Sequence, residues 1–355
     1  MRATRLSTGW LSTGRLSMGR WRWLAGAAAA GLLLGTVAGA VADKPPSFTA
    51  RFYAPEAEAL GLQEWLDAVG SARPDVIYLG ERHDSEAHHA LQSAVVAGLE
   101  ARFEAEGGVA GLVFEMIAEA KEPAALRARG WPGRAGPGAS DAVAEAAEWD
   151  KSGWPDFALY APILEAAPGA YVAGGGYPRQ AVMRAATDAD WLRREPGAAR
   201  FGLDQPLPTA QQAAREAAQI ASHCNAIPPE VAPMMVDAQR ARDARLAAAI
   251  LRAREAAAAE GRTGPVVVIT GALHARLDYG APALLTRAAP NLSQLSVAMV
   301  EREEPLSGFE IEPARAALFD VWAPTPPPAV ERPDPCLAFK ANRTAKTSAE
   351  ETAPD

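Results

Sequence analysis

At 355 residues with 49% apolar side chains, the chain can bury a full hydrophobic core, which excludes a disordered or fibrous protein. Of its 35 basic residues, Arg2, Arg5, Arg15, Arg20 and Arg22 fall in the first 42, which contain no acid; removing those five leaves 30 against 43 acidic residues. The body is therefore acidic, with no basic run that could replace phosphate counterions, and this excludes nucleic acid as a partner.

The segment 20–42, RWRWLAGAAAAGLLLGTVAGAVA, has a basic flank, a small-residue apolar stretch and an A-x-A ending ahead of Asp43. That is the pattern of a secretory signal; a retained anchor is the alternative, since the run is about long enough to cross a bilayer. No cysteine lies near the ending, which excludes a lipid anchor of the usual type. The expected organisation is a leader over 1–42, an α/β domain over 43–323 with a helical insertion at about 205–262, and a disordered tail over 324–355. Export would place the protein in the periplasm or cell envelope. Only Cys224 and Cys336 are present; in an oxidising compartment they could pair and staple the tail to the body, or remain two free thiols.

After an extended lead-in, 54–69 reads as a helix with Pro55 near its start and Leu62, Trp65, Leu66 and Val69 on one face. The β-branched and aromatic run 76–79, bounded by Pro74 and Gly80, reads as a buried strand, with Glu81, Arg82 and His83 on the loop past its end. Ala87, Leu91, Val95 and Leu99 then recur every four residues, so the chain leaves as a helix. Ligands bind beyond the carboxyl ends of strands in open α/β sheets, which puts Glu81 and His83 where chemistry is expected. His88 and His89 are adjacent on that helix and point about 100° apart, so one of them should face the site.

A second strand, 109–116, ends in Glu115, topologically equivalent to Glu81. Residues 121–153 form an excursion whose neighbours Trp149, Trp154 and Phe157 either pack or line a pocket. A helix over 157–166 feeds a third strand, 170–173, that runs into Gly174-Gly175-Gly176-Tyr177-Pro178-Arg179. A helix to about 194 and a short strand at 200–204 follow. Two long helices occupy 209–260, with Gln239, Arg242 and Asp243 facing polar partners. The run 265–270 is another strand, and it ends in Gly271-Ala272-Leu273-His274, so both it and the 76–79 strand finish G-x-x-H. If the two lie side by side, His83 and His274 converge. One more helix and strands at 295–300 and 319–322 close the fold: α/β, a largely parallel sheet flanked by helices.

Two histidines at matched strand ends with Glu81 and Glu115 nearby suit either a divalent metal that activates water or a metal-free acid/base pair. The ordered set YLGERHD-(x)3-HH-x-LQ, LVFEM, Tyr177-Pro178-Arg179, HC-(x)3-P, AQ-x-x-RDARLA and ITGALHA-(x)3-YGAP resembles the ChaN family of haem-binding, iron-regulated bacterial proteins over nearly all of residues 50–323. That resemblance implies an exported haem-binding protein of haem and iron uptake, with haem as cofactor, a homodimer, and outer-membrane uptake machinery as a partner. It implies a tyrosine as iron ligand, Tyr279 or Tyr177 here, with His83, His88, His274 and Arg179 around the haem. The wider group, with Tiki, TraB-type and erythromycin-esterase relatives, implies the alternative: a metal-dependent periplasmic hydrolase, an esterase or peptidase. There Glu81, His83, Glu115 and His274 would be catalytic residues or metal ligands.

Overall fold

The computed structural model describes residues 46–177, 188, 190–303, 309–334 and 336–337. The leader 1–42, Arg179 and most of the helix expected over 178–194 lie outside them. A short antiparallel pair, β1 (Arg51–Phe52) and β2 (Leu60–Gly61), leads into α1 (Leu62–Ala72). The helix expected from residue 54 thus begins later, because 55–57 form a turn in which Glu56 has φ 61°. Trp65, Leu66 and Val69 form its buried face, as their spacing requires.

Six strands make one sheet: β3 (Val76–Glu81), β4 (Gly111–Ala118), β5 (Tyr171–Gly176), β6 (Val266–Gly271), β7 (Gln294–Glu301) and β8 (Val321–Thr325), in the order β5-β4-β6-β3-β7-β8. All neighbours pair parallel. The near-continuous apolar runs VIYL and VVVI fit this, because a parallel sheet is covered on both faces. Ile77, Leu79, Phe114, Val267, Ile269 and Val297 join one core with Trp65, Leu91, Val95 and Leu99. Val76, Tyr78, Val113, Val266 and Val268 join the other with Leu246, Ile250 and Leu285. The period-two alternation of a strand builds both layers, each fully buried Val, Leu or Ile contributing about 1.5–3 kcal/mol.

On the first face lie α1, α2 (Glu86–Arg102), α3 (Glu122–Arg129), α4 (Ala139–Ala146) and α5 (Ala161–Ala166). On the second lie α6 (Ala198–Phe201), α8 (Ala232–Ala259) and α9 (Ala281–Ala288), while α7 (Thr209–Ser222) packs on α8. The strand expected at 200–204 is replaced by α6 and a turn: Gly197 and Gly202, both at positive φ, bracket a single helical turn. The hairpin read over 205–262 comprises α7 and α8, and α8 lies on the sheet through an alanine-rich buried face completed by Val236, Leu246 and Ile250.

The last strand starts and ends later than the sequence suggests, at Thr325, and takes in Pro324; an edge strand tolerates proline because one side of its backbone needs no ladder partner. Beyond it, Arg332 pairs with Glu301 and Asp84, and Cys336 forms a disulfide with Cys224. At the carboxyl edge of the sheet the loop after β6 lies directly on β3. A Cβ at Gly80 would come within 3.0 Å of Ala272 Cα and Ala275 Cβ, so glycine there permits the approach.

Candidate functional site

Strands β3 and β6 are adjacent and in register, Gly80 beside Thr270 and Glu81 beside Gly271, so the two G-x-x-H ends do come together. They meet on a carboxylate from the other neighbour of β6: Glu115 of β4. Its Oε2 accepts from Thr270 Oγ1 at 2.7 Å and from the Gly271 backbone N–H at 2.8 Å. Its Oε1 lies 3.3 Å from His274 Nε2, and His83 Nε2 is 3.8 Å from Oε2.

Each histidine has a second acid on its far side. His83 Nδ1 is 2.8 Å from Glu81 Oε1, and His274 Nδ1 is 2.6 Å from Asp243 Oδ1 of α8. The result is an alternating row, Glu81, His83, Glu115, His274, Asp243. Burial opposes charge on His274, but Glu115 and Asp243 outweigh it and raise the imidazole to about 10. Burial likewise opposes the charge of Glu115, yet His274, His83 and the Gly271 N–H hold its carboxyl well below the usual range. His83 is raised more modestly, burial being offset first by the Glu81 hydrogen bond and then by the Glu115 charge.

The loop carrying His83 is braced from α2 and from Tyr160, just ahead of α5. Gln92 Nε2 donates to Glu81 Oε2 at 2.6 Å, and the Tyr160 hydroxyl donates to Glu81 Oε1 at 3.0 Å. His88 Nδ1 accepts from the Arg82 N–H at 2.8 Å, and His89 Nε2 lies 2.9 Å from the His83 carbonyl oxygen. Both imidazoles therefore grip the loop, where one was expected to face the site and the other to be surface or structural, because the loop folds back over the first turn of α2. His88 is 1% exposed, and burial pushes it down to about 4. Trp154 of the excursion does reach the site, its ring 4.7 Å from that of His83.

Among the described residues no three of His, Cys, Asp or Glu are arranged to hold a metal ion. His274 has an acid against each ring nitrogen, so a metal at either nitrogen would have to displace an N–H directed at a carboxylate. With an acid against each ring nitrogen and its pKa raised to about 10, His274 suits the fixing of charge and geometry rather than the exchange of protons at neutral pH.

The two tyrosines differ. Tyr177 buries its hydroxyl, its ring tilted against that of Trp191 at 6.2 Å, with Arg245 over it at 5.5 Å. Tyr279 stands in the loop after β6, its ring between two guanidinium groups, Arg276 at 4.0 Å and Arg215 of α7 at 4.4 Å. Burial pushes its hydroxyl above the ordinary value, and both arginines oppose that shift. On the same loop Leu273 is 54% exposed, a large apolar side chain facing water. Arg215 and Tyr160 carry no signal in the sequence, being one arginine and one tyrosine within unremarked helical stretches; Asp243 was detectable only as a polar residue on a largely apolar helix face.

A family model described as haem-binding uptake, Tiki superfamily, ChaN matches residues 70–285. Among solved structures, ChaN of Campylobacter jejuni, described as binding haem cofacially, superposes with a TM-score of 0.56 at 16% identity, covering 79% of this chain and 98% of that one. At that identity the likeness carries the fold alone. Weaker likenesses are the type III effector HopBA1, TM-score 0.41 at 16% identity over 80% of this chain and 99% of its own, and a Bacillus cereus protein, 0.34 at 11% over 80% and 97%. No curated protein matches.

Proposed function

Because the chain belongs to the ChaN haem-binding uptake family of the Tiki superfamily, matched over residues 70–285, we propose that it binds haem at the mouth of the strand-end site with Tyr279 as the iron ligand. The observation that carries this is the setting of Tyr279. Its hydroxyl has no hydrogen-bond partner among the described residues, and its ring lies against two cations that offset part of the rise burial imposes on its pKa. When bound, ferric haem supplies an iron suited to a hard, anionic oxygen ligand. Leu273 offers an apolar contact for the porphyrin face. Tyr177 is the poorer candidate, since its oxygen is buried.

In this reading His83, Glu115 and His274 are positioning residues. They pin the β3 and β6 loops to each other, and the β6 loop carries both Leu273 and Tyr279. The leader of residues 1–42 would export the protein, and its role would be haem and iron uptake in the cell envelope, as a homodimer that exchanges haem with outer-membrane machinery. The hydrolase reading is not favoured, because both ring nitrogens of His274 are engaged by acids.

The test is a haemin titration of the chain from Asp43 onward, followed by absorption spectroscopy. Wild type should bind saturably with a tyrosinate-type high-spin spectrum; Tyr279→Phe should abolish that spectrum and Tyr177→Phe should keep it. Saturable binding that survives in Tyr279→Phe with an unchanged spectrum would remove Tyr279 from the iron, and no saturable binding by wild type would sink the haem reading.

A further inference from the structure

We propose, independently of the haem reading, that the Cys224–Cys336 disulfide is a thiol-sensitive latch that sets how tightly the His83 loop is held at the strand-end site. The grip is exerted through Arg332, whose three guanidinium nitrogens are all engaged at that edge of the sheet. Nη1 and Nη2 form a fork on the Glu301 carboxylate of β7, at 2.6 and 2.8 Å. Nε lies 2.8 Å from Asp84 Oδ2, and Nη2 also donates to the Asp84 carbonyl at 2.9 Å. Asp84 directly follows His83, and its Oδ1 accepts from Arg82 Nε at 2.9 Å. The segment after β8 thus holds the residues on either side of His83.

Little apart from the bond keeps that segment down. Val330 is 79% exposed and Leu337 66%, and Glu331, Pro333 and Asp334 face solvent, so almost no apolar surface is buried around Arg332. Cys336 lies four residues beyond Arg332, a reach of at most about 14 Å. A closed bond therefore confines the guanidinium to the neighbourhood of its two carboxylates and raises its effective concentration there.

The bond is placed for exchange. Both cysteines are partly exposed, and Ser222, Asn225, Asp334 and Leu337 around them face solvent. Cys224 sits just past the last turn of α7 at φ 61°, with the Asn225 N–H closing onto the Ile220 carbonyl at 2.9 Å. Glycine takes that conformation most readily, so it is the bond and not the backbone that favours cysteine there. Accessible disulfides are the ones thiols open. A thiolate of a dithiol reductant attacks one sulfur and displaces the other cysteine as a thiolate, and its second thiol resolves the mixed disulfide. Cys224 and Cys336 together gain two electrons and two protons, and the dithiol is oxidised to its own disulfide. With the bond open, the loop keeps only the braces from His88, His89 and Tyr160.

The experiment follows amide hydrogen exchange by NMR at Arg82 and Ser85, whose N–H groups donate to His88 Nδ1 and the Arg82 carbonyl at 2.8 and 3.0 Å. Oxidised and dithiothreitol-treated protein are compared for wild type and Arg332→Gln, with thiols counted by alkylation and mass. Dithiothreitol should open the bond without denaturant and speed exchange at both amides about tenfold, the effect of losing a charged hydrogen-bonded contact. Low urea should leave the faster rate unchanged, the mark of local opening, and reoxidation should restore the slow one. Arg332→Gln should exchange fast with its bond closed, and reduction should then add less than twofold. A bond that opens only in denaturant, loop exchange that does not change once it is open, or faster exchange that tracks urea would overturn the latch. So would a reduction effect in Arg332→Gln as large as that in wild type.

Discussion

The imidazole of His274 has Nδ1 2.6 Å from Asp243 Oδ1 and Nε2 3.3 Å from Glu115 Oε1, in a side chain that is 8% exposed. Its pKa is raised from 6.5 to about 10, so the stability this pair contributes is fully present below pH 6.5 and is lost as pH rises through about 10. Glu115 is depressed from 4.5, so its contribution is present above pH 4.5 and disappears as pH falls through its folded value. The combined contribution should therefore be greatest between pH 4.5 and 6.5. Urea unfolding across pH 4 to 10 should show stability declining above pH 6.5 in wild type and a flatter profile in Glu115→Gln. Equal slopes for the two proteins would show that the row does not behave as described. At this scale the matched histidines and strand-end glutamates were legible as a repeated spacing, because a strand end followed by glycine fixes where the next side chains emerge. Tyr160 was not, since it reaches Glu81 from a separate segment, and nothing local in 157–166 marks it.

Between elements, the parallel register of β3 and β6 sets the site. Gly271 stands opposite Glu81, and a Cβ placed there would lie 2.9 Å from His83 Nε2. Gly271→Ala should push the His83 ring away from Glu115 while its Glu81 hydrogen bond survives, at a cost of about 1 kcal/mol, at the lower end for overpacking because the neighbour is a movable ring. Losing the Glu115 charge should lower the His83 pKa toward its ordinary value. An NMR titration of the His83 ring resonances measures this, and an unchanged midpoint would mean that the 3.8 Å ion pair is immaterial. The strands were readable from their apolar runs, although their boundaries, apart from the start at Val76, moved by one to three residues. The helix expected from residue 54 and the strand expected at 200–204 failed where a turn at positive φ, rather than propensity, chose the conformation.

Across the whole molecule, the chain after β8 returns over the carboxyl edge of the sheet. Arg332 joins Glu301 of β7 to Asp84 of the His83 loop, at 2.6 and 2.8 Å, and Cys336 then closes onto Cys224 at the end of α7. The bond spans 112 residues of sequence. In the chain-entropy account, a loop of that length removes enough freedom from the unfolded state for a stabilisation of about 2–5 kcal/mol. Reduction, or the pair Cys224→Ser with Cys336→Ser, should lower the urea midpoint accordingly. A change below about 1 kcal/mol would indicate that the segment carrying Arg332 holds its place without the bond.

The sequence alone determined the alternation of buried strands and covering helices, because a two-residue period and a turn of 3.6 residues are local rules that a linear pattern records. It also determined that two histidines and two glutamates end on strands. Tertiary structure alone decided that β6, late in the chain, inserts between β3 and β4, which brings Glu115 between His83 and His274. It likewise decided that Asp243 and Arg215, from helices folded over the second face, meet the loop of Tyr279. Strand order and helix docking depend on the total apolar surface buried across both layers, a property of the assembled chain that no window of sequence contains.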